Sequence, residues 1–209
     1  MKNSLGDEEI ASFLEPYEFV PSSLACERIR VYLSLLLRWN QKISLTAITD
    51  TSEILRHHFG ESILATTAVP IRNGRLADVG TGAGFPGLPI KIAQPDVSIL
   101  LIESNVKKCA FLSEVVRALR IDAEVIRGRM ETSLSQNSGL SYITSRAVGD
   151  WNGILRLGSR LEKNGKIVLW VGKHAISEIT VKDRGNWMWR EPIAIPGSMK
   201  HFLLVGSKL

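Results

Sequence analysis

Ten residues, Asp78-Val79-Gly80-Thr81-Gly82-Ala83-Gly84-Phe85-Pro86-Gly87, restrict the fold of this chain more than any other segment. They follow the short apolar run Leu76-Ala77 and precede a helical pattern from Leu88 to Gln94, so they read as a sharp turn from strand into helix. Such a turn exposes backbone N–H groups at the carboxyl edge of a sheet, and its glycines permit backbone angles and close approaches that other residues resist. Two ligand classes remain open at this point. Gly82-Ala83-Gly84-Phe85-Pro86-Gly87 satisfies the dinucleotide pattern G-x-G-x-x-G, a weak signal when it stands alone. Against it, Asp78 opens a D-x-G-x-G-x-G arrangement in which a carboxylate can engage a cationic ligand or order the loop. Pro86 also has no N–H to give a pyrophosphate.

The rest of the chain alternates in a way that fits such a turn. From Arg75 onward, strands are expected at 76–79, 97–102, 122–126, 140–144 and 166–171, separated by helical runs at 107–119, 150–161 and 175–181. The apolar run Val97 to Ile102 is that of a central parallel strand covered on both faces. Trp187 to Ile195 and His201 to Gly206, joined by Pro196-Gly197-Ser198, read as an antiparallel hairpin. Residues 1–72 are expected to form an N-terminal helical extension and residues 73–209 the α/β domain. Within the extension, Pro21-Ser22-Ser23 offers a cap before a helix from Leu24 to Trp39. Asn40 to Ala47 reads as a loop, and a further helix runs from about Ser52 to Ala68.

Glu103 ends the second strand, beside the glycine turn in a doubly wound sheet. A carboxylate in that place accepts hydrogen bonds from both ribose hydroxyls, a device that NAD-binding and S-adenosylmethionine-binding domains share. The hairpin after the fifth strand, where a dehydrogenase would carry a second mononucleotide half, favours the sulfonium cofactor. The +5 formal charge, from 26 Lys and Arg against 21 Asp and Glu, is compatible with a polyanionic partner and equally with a solvated basic surface. No run approaches the ~18 apolar residues of a membrane span. The acidic start Gly6-Asp7-Glu8-Glu9 and only two cysteines, Cys26 and Cys109, suggest a cytoplasmic protein without a disulfide framework.

Several strings in order carry a family resemblance: Trp39-Asn40-Gln41-Lys42-Ile43-Ser44-Leu45-Thr46-Ala47, His58-Phe59-Gly60-Glu61-Ser62, the glycine turn with its phrase G-T-G-A-G-F-P-G, Glu103 to Leu112, Gly128-Arg129-Met130-Glu131 and Ser145-Arg146-Ala147. The chain resembles the small-subunit ribosomal RNA guanine-N7 methyltransferases, the glucose-inhibited division protein B family. The resemblance implies a class I S-adenosylmethionine-dependent methyltransferase fold, Rossmann-like, with a seven-stranded mostly parallel sheet, an antiparallel C-terminal hairpin and N-terminal helices. It implies S-adenosyl-L-methionine as donor, S-adenosyl-L-homocysteine as product, and a guanine in the 530 loop of 16S rRNA, free or in the small subunit, as acceptor. By the same resemblance Asp78, Gly80, Gly82, Gly84 and Phe85 would surround the methionine part of the donor. Glu103 would hold the ribose, and the backbone at Met130 and Glu131 the adenine. Ser44, Glu61, Glu103 and Met130 depart from residues usual in the family, and Lys173 follows Gly172 where the family tends to have Lys before Gly.

Arg146, just after the fourth strand, is the candidate for the methyl-transfer pocket, at the boundary between donor and acceptor, contacting the guanine through O6 or a nearby phosphate. A structural salt bridge is its competing reading. Arg129 and Lys107 are further candidates for RNA contact, each weighed against an ordinary surface cation. His58 is expected to pack or hydrogen-bond against the face of the glycine turn, with direct RNA contact as the alternative. No metal site is expected, since His57 and His58 are adjacent on a helix and do not face one another. A monomer is expected. Competing functions are a methyltransferase for another RNA or a small molecule, and a non-catalytic nucleotide- or RNA-binding module on the same fold.

Overall fold

The computed structural model describes residues 5–129, 139–146, 149–183 and 185–209. Among the described residues, eight strands form one sheet: β1 (Arg75–Val79), β2 (Ser98–Glu103), β3 (Ala123–Arg127), β4 (Leu140–Arg146), β5 (Leu161–Gly172), β6 (Trp187–Trp189), β7 (Ile193–Ala194) and β8 (His201–Lys208). Their order is β3-β2-β1-β4-β5-β8-β6, a path of seven, with the two-residue β7 also pairing to β8. β1 to β5 pair in parallel, and β8 runs antiparallel to β5, β6 and β7. The expected hairpin tail is therefore present. The order reverses between β1 and β4, and in open α/β sheets ligands bind outside the carboxyl ends of the strands at such a point.

Both faces of the sheet are covered, which is why β2 is apolar at successive positions. Ile99 and Leu101 join one core, and Leu100 and Ile102 the other. The first core is roofed by α1 (Asp7–Leu14), α2 (Ser23–Asn40), α3 (Thr51–Ile54), α4 (Glu61–Ala68), α5 (Gly87–Ala93) and α6 (Val106–Leu119). Among the described residues, α7 (Trp151–Gly158) and α8 (Lys173–Lys182) cover the second. The N-terminal helices thus share one continuous hydrophobic core with the sheet, including Tyr32, Leu36, Phe59 and Ile63.

Side-chain caps set the helix starts. Ser22 accepts from the Ala25 amide at 3.2 Å, Asn105 from Lys107 and Lys108 at 2.9 and 3.2 Å, and Asp150 from Gly153 at 2.9 Å. In the loop after α2, the Asn40 amide accepts from Leu45 and Thr46 and donates to the Thr46 carbonyl, replacing the bonds that the chain gives up on leaving the helix.

Two features differ from the sequence reading. The helix expected from about Ser52 contains a π-helical turn at Leu55–Gly60, between α3 and α4. Side-chain periodicity is nearly blind to one wider turn. Strand β5 begins at Leu161, ahead of the start expected at Lys166, and passes through Lys163-Asn164-Gly165, residues of a type that commonly turns. Asn164 takes a left-handed φ of 65°, which Asn tolerates better than most residues, and the pairing with β4 shifts register between Leu140 and Tyr142.

Candidate active site

The glycine turn is organised from inside by Asp78. Its carboxylate is fully buried and accepts from the Thr81 hydroxyl at 2.5 Å, the Gly87 amide at 2.9 Å and the Thr144 hydroxyl at 2.9 Å. Burial pushes this carboxyl up to about 6, against the three hydrogen bonds and the nearby Arg146. Of the two roles open to Asp78, the geometry assigns it the ordering of the loop. The first amide of α5 is thereby occupied by a carboxylate of the protein itself, at the place where a dinucleotide pyrophosphate would need it.

Gly80, Gly82 and Gly84 have φ of 68°, 60° and 98°. These left-handed angles suit glycine alone at low strain. The amides of Gly80 and Thr81 both donate to the Ile102 carbonyl, locking the turn to the end of β2. Gly84 faces inward, since a methyl group there would strike the side chains of Leu88 and Tyr32. Gly82 is different: a methyl would meet nothing closer than the Gly80 carbonyl at 3.9 Å, so this part of the turn borders open space.

Glu103 closes the other side. It is 8 % exposed, and its carboxylate accepts from the Gly82 amide at 3.0 Å and the Asn105 amide at 2.8 Å. An ionised carboxylate offers about four lone-pair sites, so these two close bonds and a longer one from the Ser104 hydroxyl at 3.5 Å leave capacity for a ribose hydroxyl. The open shelf at Gly82, the exposed Gly80 and this carboxylate fit the adenosine and amino-acid ends of S-adenosylmethionine.

Phe85 points its ring into the N-terminal helices. It stacks on Tyr32 with centroids 5.3 Å apart and meets Phe59 edge-on at 5.6 Å and His58 at 4.7 Å. The Tyr32 hydroxyl donates to the Ala83 carbonyl at 2.5 Å. His58 therefore packs on the glycine-turn face, as the sequence suggested, with one ring nitrogen 2.7 Å from the Thr46 hydroxyl. Burial and the cationic Arg146 push His58 down to about 4.

Arg146 lies at the switch point, one residue beyond the Val79–Ser145 register pair and so beside Gly80. Its guanidinium donates to the His57 carbonyl at 2.8 Å and pairs with Glu61 at 3.0 Å. Glu61 also faces Nδ1 of His57 at 3.0 Å, and His57 Nε2 faces Glu53 at 3.0 Å. Trp170, across the β4–β5 register from Arg146, donates to the Glu61 carbonyl at 2.8 Å. The structural-salt-bridge reading of Arg146 is thus realised, and 22 % of its side chain stays exposed at the edge. Lys107 and Arg129 are exposed on the same carboxyl edge, at the start of α6 and after β3. Met130 and Glu131 lie outside the described residues. Among the described residues, no three His, Cys, Asp or Glu side chains gather as a metal site, and Cys26 and Cys109 are buried and free.

Sequence reasoning named His57 and Glu61 without connecting them to Arg146, and did not single out Tyr32. The i, i+4 spacing of His57 and Glu61 marks them as neighbours on one helix, yet nothing local connects them to Arg146.

A glycine turn locked by a buried acid, an acid ending β2 and a sheet reversing beside them define the class I methyltransferase fold. The precorrin-6y C5,15-methyltransferase of Geobacter metallireducens superposes with a TM-score of 0.60 at 13% identity, covering 81% of this chain and 96% of that one. The chain belongs to the GidB family, described as rRNA small subunit methyltransferase G, whose model matches residues 25–199. It is 38% identical over 176 residues to the ribosomal RNA small subunit methyltransferase G of Mycoplasma capricolum, covering 83% of this chain and 75% of the relative. It is 37% identical over 182 residues to that of Xylella fastidiosa, with 85% and 84% covered. Among the described residues no helix is long and apolar enough to cross a membrane.

Proposed function

We propose that this chain transfers a methyl group from S-adenosylmethionine to N7 of a guanine in the 530 loop of 16S rRNA, in the cytoplasm. The family match over residues 25–199 carries the reading, and the geometry of the carboxyl edge agrees with it. The donor, when bound, supplies an electrophilic methyl carbon on a sulfonium. Guanine N7 carries a lone pair and no proton, so attack forms the N–C bond as the C–S bond breaks and releases no proton. The site therefore needs no general base. His58, held neutral at pH 7 and turned against Phe85, fits that requirement.

The work of the chain is alignment. Backbone at Gly80 and Gly82 holds the methionine end, Glu103 holds the ribose, and Arg146 orients the acceptor from the neighbouring strand. Well-aligned reactants gain up to ~7–11 kcal/mol over free encounter. Exposed cations on the same edge, among them Lys107 and Arg129, are suited to the RNA backbone. Mapping N7-methylguanine along 16S rRNA from cells with and without the protein tests the assignment. The methyl group is expected to vanish from one guanine of the 530 loop, and an unchanged map refutes it.

A further inference from the structure

We infer that Glu61 converts Arg146 from a phosphate anchor into a reader of the guanine base, so that Arg146 grips the O6 carbonyl and Glu61 is a positioning residue for methyl transfer. The inference rests on the reading above, in which Arg146 faces the acceptor.

Glu61 is buried, with 6 % of its side chain exposed, and its carboxylate sits 3.0 Å from the guanidinium. The charges around the pair also close among themselves: Glu53 faces both Arg56 at 3.3 Å and His57 at 3.0 Å. A guanidinium matched to a buried carboxylate still presents directed N–H groups, since five donors exceed the two that Glu61 and the His57 carbonyl engage. It no longer presents a free positive charge. A phosphate brought to it would meet the Glu61 anion close behind, whereas a neutral carbonyl oxygen would not.

Guanine offers two acceptors on that edge, O6 and N7, and Arg commonly takes both. Here N7 must keep its lone pair for the methyl carbon, which leaves O6. Compensation also suits the reaction itself. The positive charge of the sulfonium moves onto the guanine ring as N7 is methylated, and an unpaired cation beside the ring would oppose that movement. The exposed Lys107, at the start of α6 on the same edge, has the character of a phosphate contact.

The salt dependence of RNA binding separates the two roles, because each phosphate contact contributes close to one unit to the slope of log K against log salt. Affinity of the full chain for 16S rRNA transcripts is measured over a salt series, together with single-turnover methylation. Lys107→Ala is expected to lower the slope by about one. Arg146→Ala is expected to leave the slope within experimental error while slowing methyl transfer by about 100-fold, a loss on the scale of one charge-aligned donor. Glu61→Gln frees the guanidinium charge, so the slope steepens by up to about one as transfer slows. Glu61→Asp restores both. Arg146→Gln serves the same comparison should the alanine variant fold poorly.

A slope lowered by about one in Arg146→Ala makes Arg146 a phosphate anchor and overturns the inference, leaving the methyl-transfer assignment intact. Unchanged rate and affinity in Arg146→Ala would instead remove Arg146 from the acceptor site altogether. An unchanged slope in Glu61→Gln refutes the compensating role of Glu61.

Discussion

At the glycine turn, Asp78 reaches Thr81 and Gly87, three and nine residues away in sequence, and Gly82 reaches Glu103, 21 residues away. Thr144, 66 residues on, and Tyr32, whose hydroxyl reaches Ala83 across 51 residues, come from further away. At Arg146 the distances are of another order: its carbonyl partner is 89 residues back, and Trp170 reaches Glu61 across 109. The donor half of the carboxyl edge is thus the more local construction, built mainly within β1, the turn, α5 and the end of β2. The acceptor half exists only once the N-terminal helices have docked on the far strands. Damage to one half should therefore be separable from damage to the other.

The largest separation is expected from Asp78→Ala. It strips two hydroxyls and one amide of their buried acceptor, at about 1–3 kcal/mol for each group left unpaired. Relief of the buried charge offsets part of this, and a net loss of about 3 kcal/mol is expected in urea denaturation. Calorimetry should show donor affinity reduced at least ~30-fold, with RNA affinity held within about twofold; a factor of ten is 1.4 kcal/mol. An equal fall in RNA affinity would erase the distinction between the halves.

Gly60→Ala attacks the other side. The added methyl would collide with the Tyr17 ring, and overpacking of this kind costs about 1–3 kcal/mol. Since Gly60 ends the π-helical turn that bears His57, methyl transfer should slow while the donor Kd stays unchanged. Tyr17→Val, by opening the space, should recover most of the rate in the double variant. No recovery would place the fault outside this contact.

Tyr32→Phe tests the seam between the halves. Loss of the bond to the Ala83 carbonyl is worth about 1 kcal/mol. The KM for the donor should rise several-fold with kcat preserved, and a changed kcat at saturating donor would contradict a role confined to the turn.

The smallest effect lies in pH. His58 titrates lower folded, about 4, than its ordinary 6.5, so the unfolded chain binds the extra proton between those values and stability falls as pH drops through that window. Asp78 is raised from 3.8 to about 6, so its contribution is full below 3.8 and is lost as pH rises to 6. The two slopes oppose each other and flatten the profile. His58→Phe removes one of them, and its urea midpoint should fall less than that of the wild type between pH 6.5 and 4.5. Parallel losses would mean that His58 does not titrate in this window.

What the sequence discloses follows the same division. Strand and helix order from Arg75 onward is written in local periodicity and turn residues, and the glycine turn with Glu103 is legible because its bonds are short-range. Asp78 stood between two roles until its full burial and three donors became visible. Glu61 and His57 carried no signal of their function, since a helical i, i+4 pair is ordinary and only tertiary docking aims it at Arg146. Passage of β5 through Lys163-Asn164-Gly165 escaped for a related reason: turn residues usually end a strand, and pairing with β4 keeps this one going.

The carboxylate of Glu103 grips the Gly82 amide through a bond internal to the protein. The shape of the turn is therefore purchased by folding and not by association. Donor entry should then proceed without a slow isomerisation, with one kinetic phase linear in concentration. Its heat-capacity change should reflect only the surface covered by the ligand. Product can leave by the same open shelf with the turn still standing.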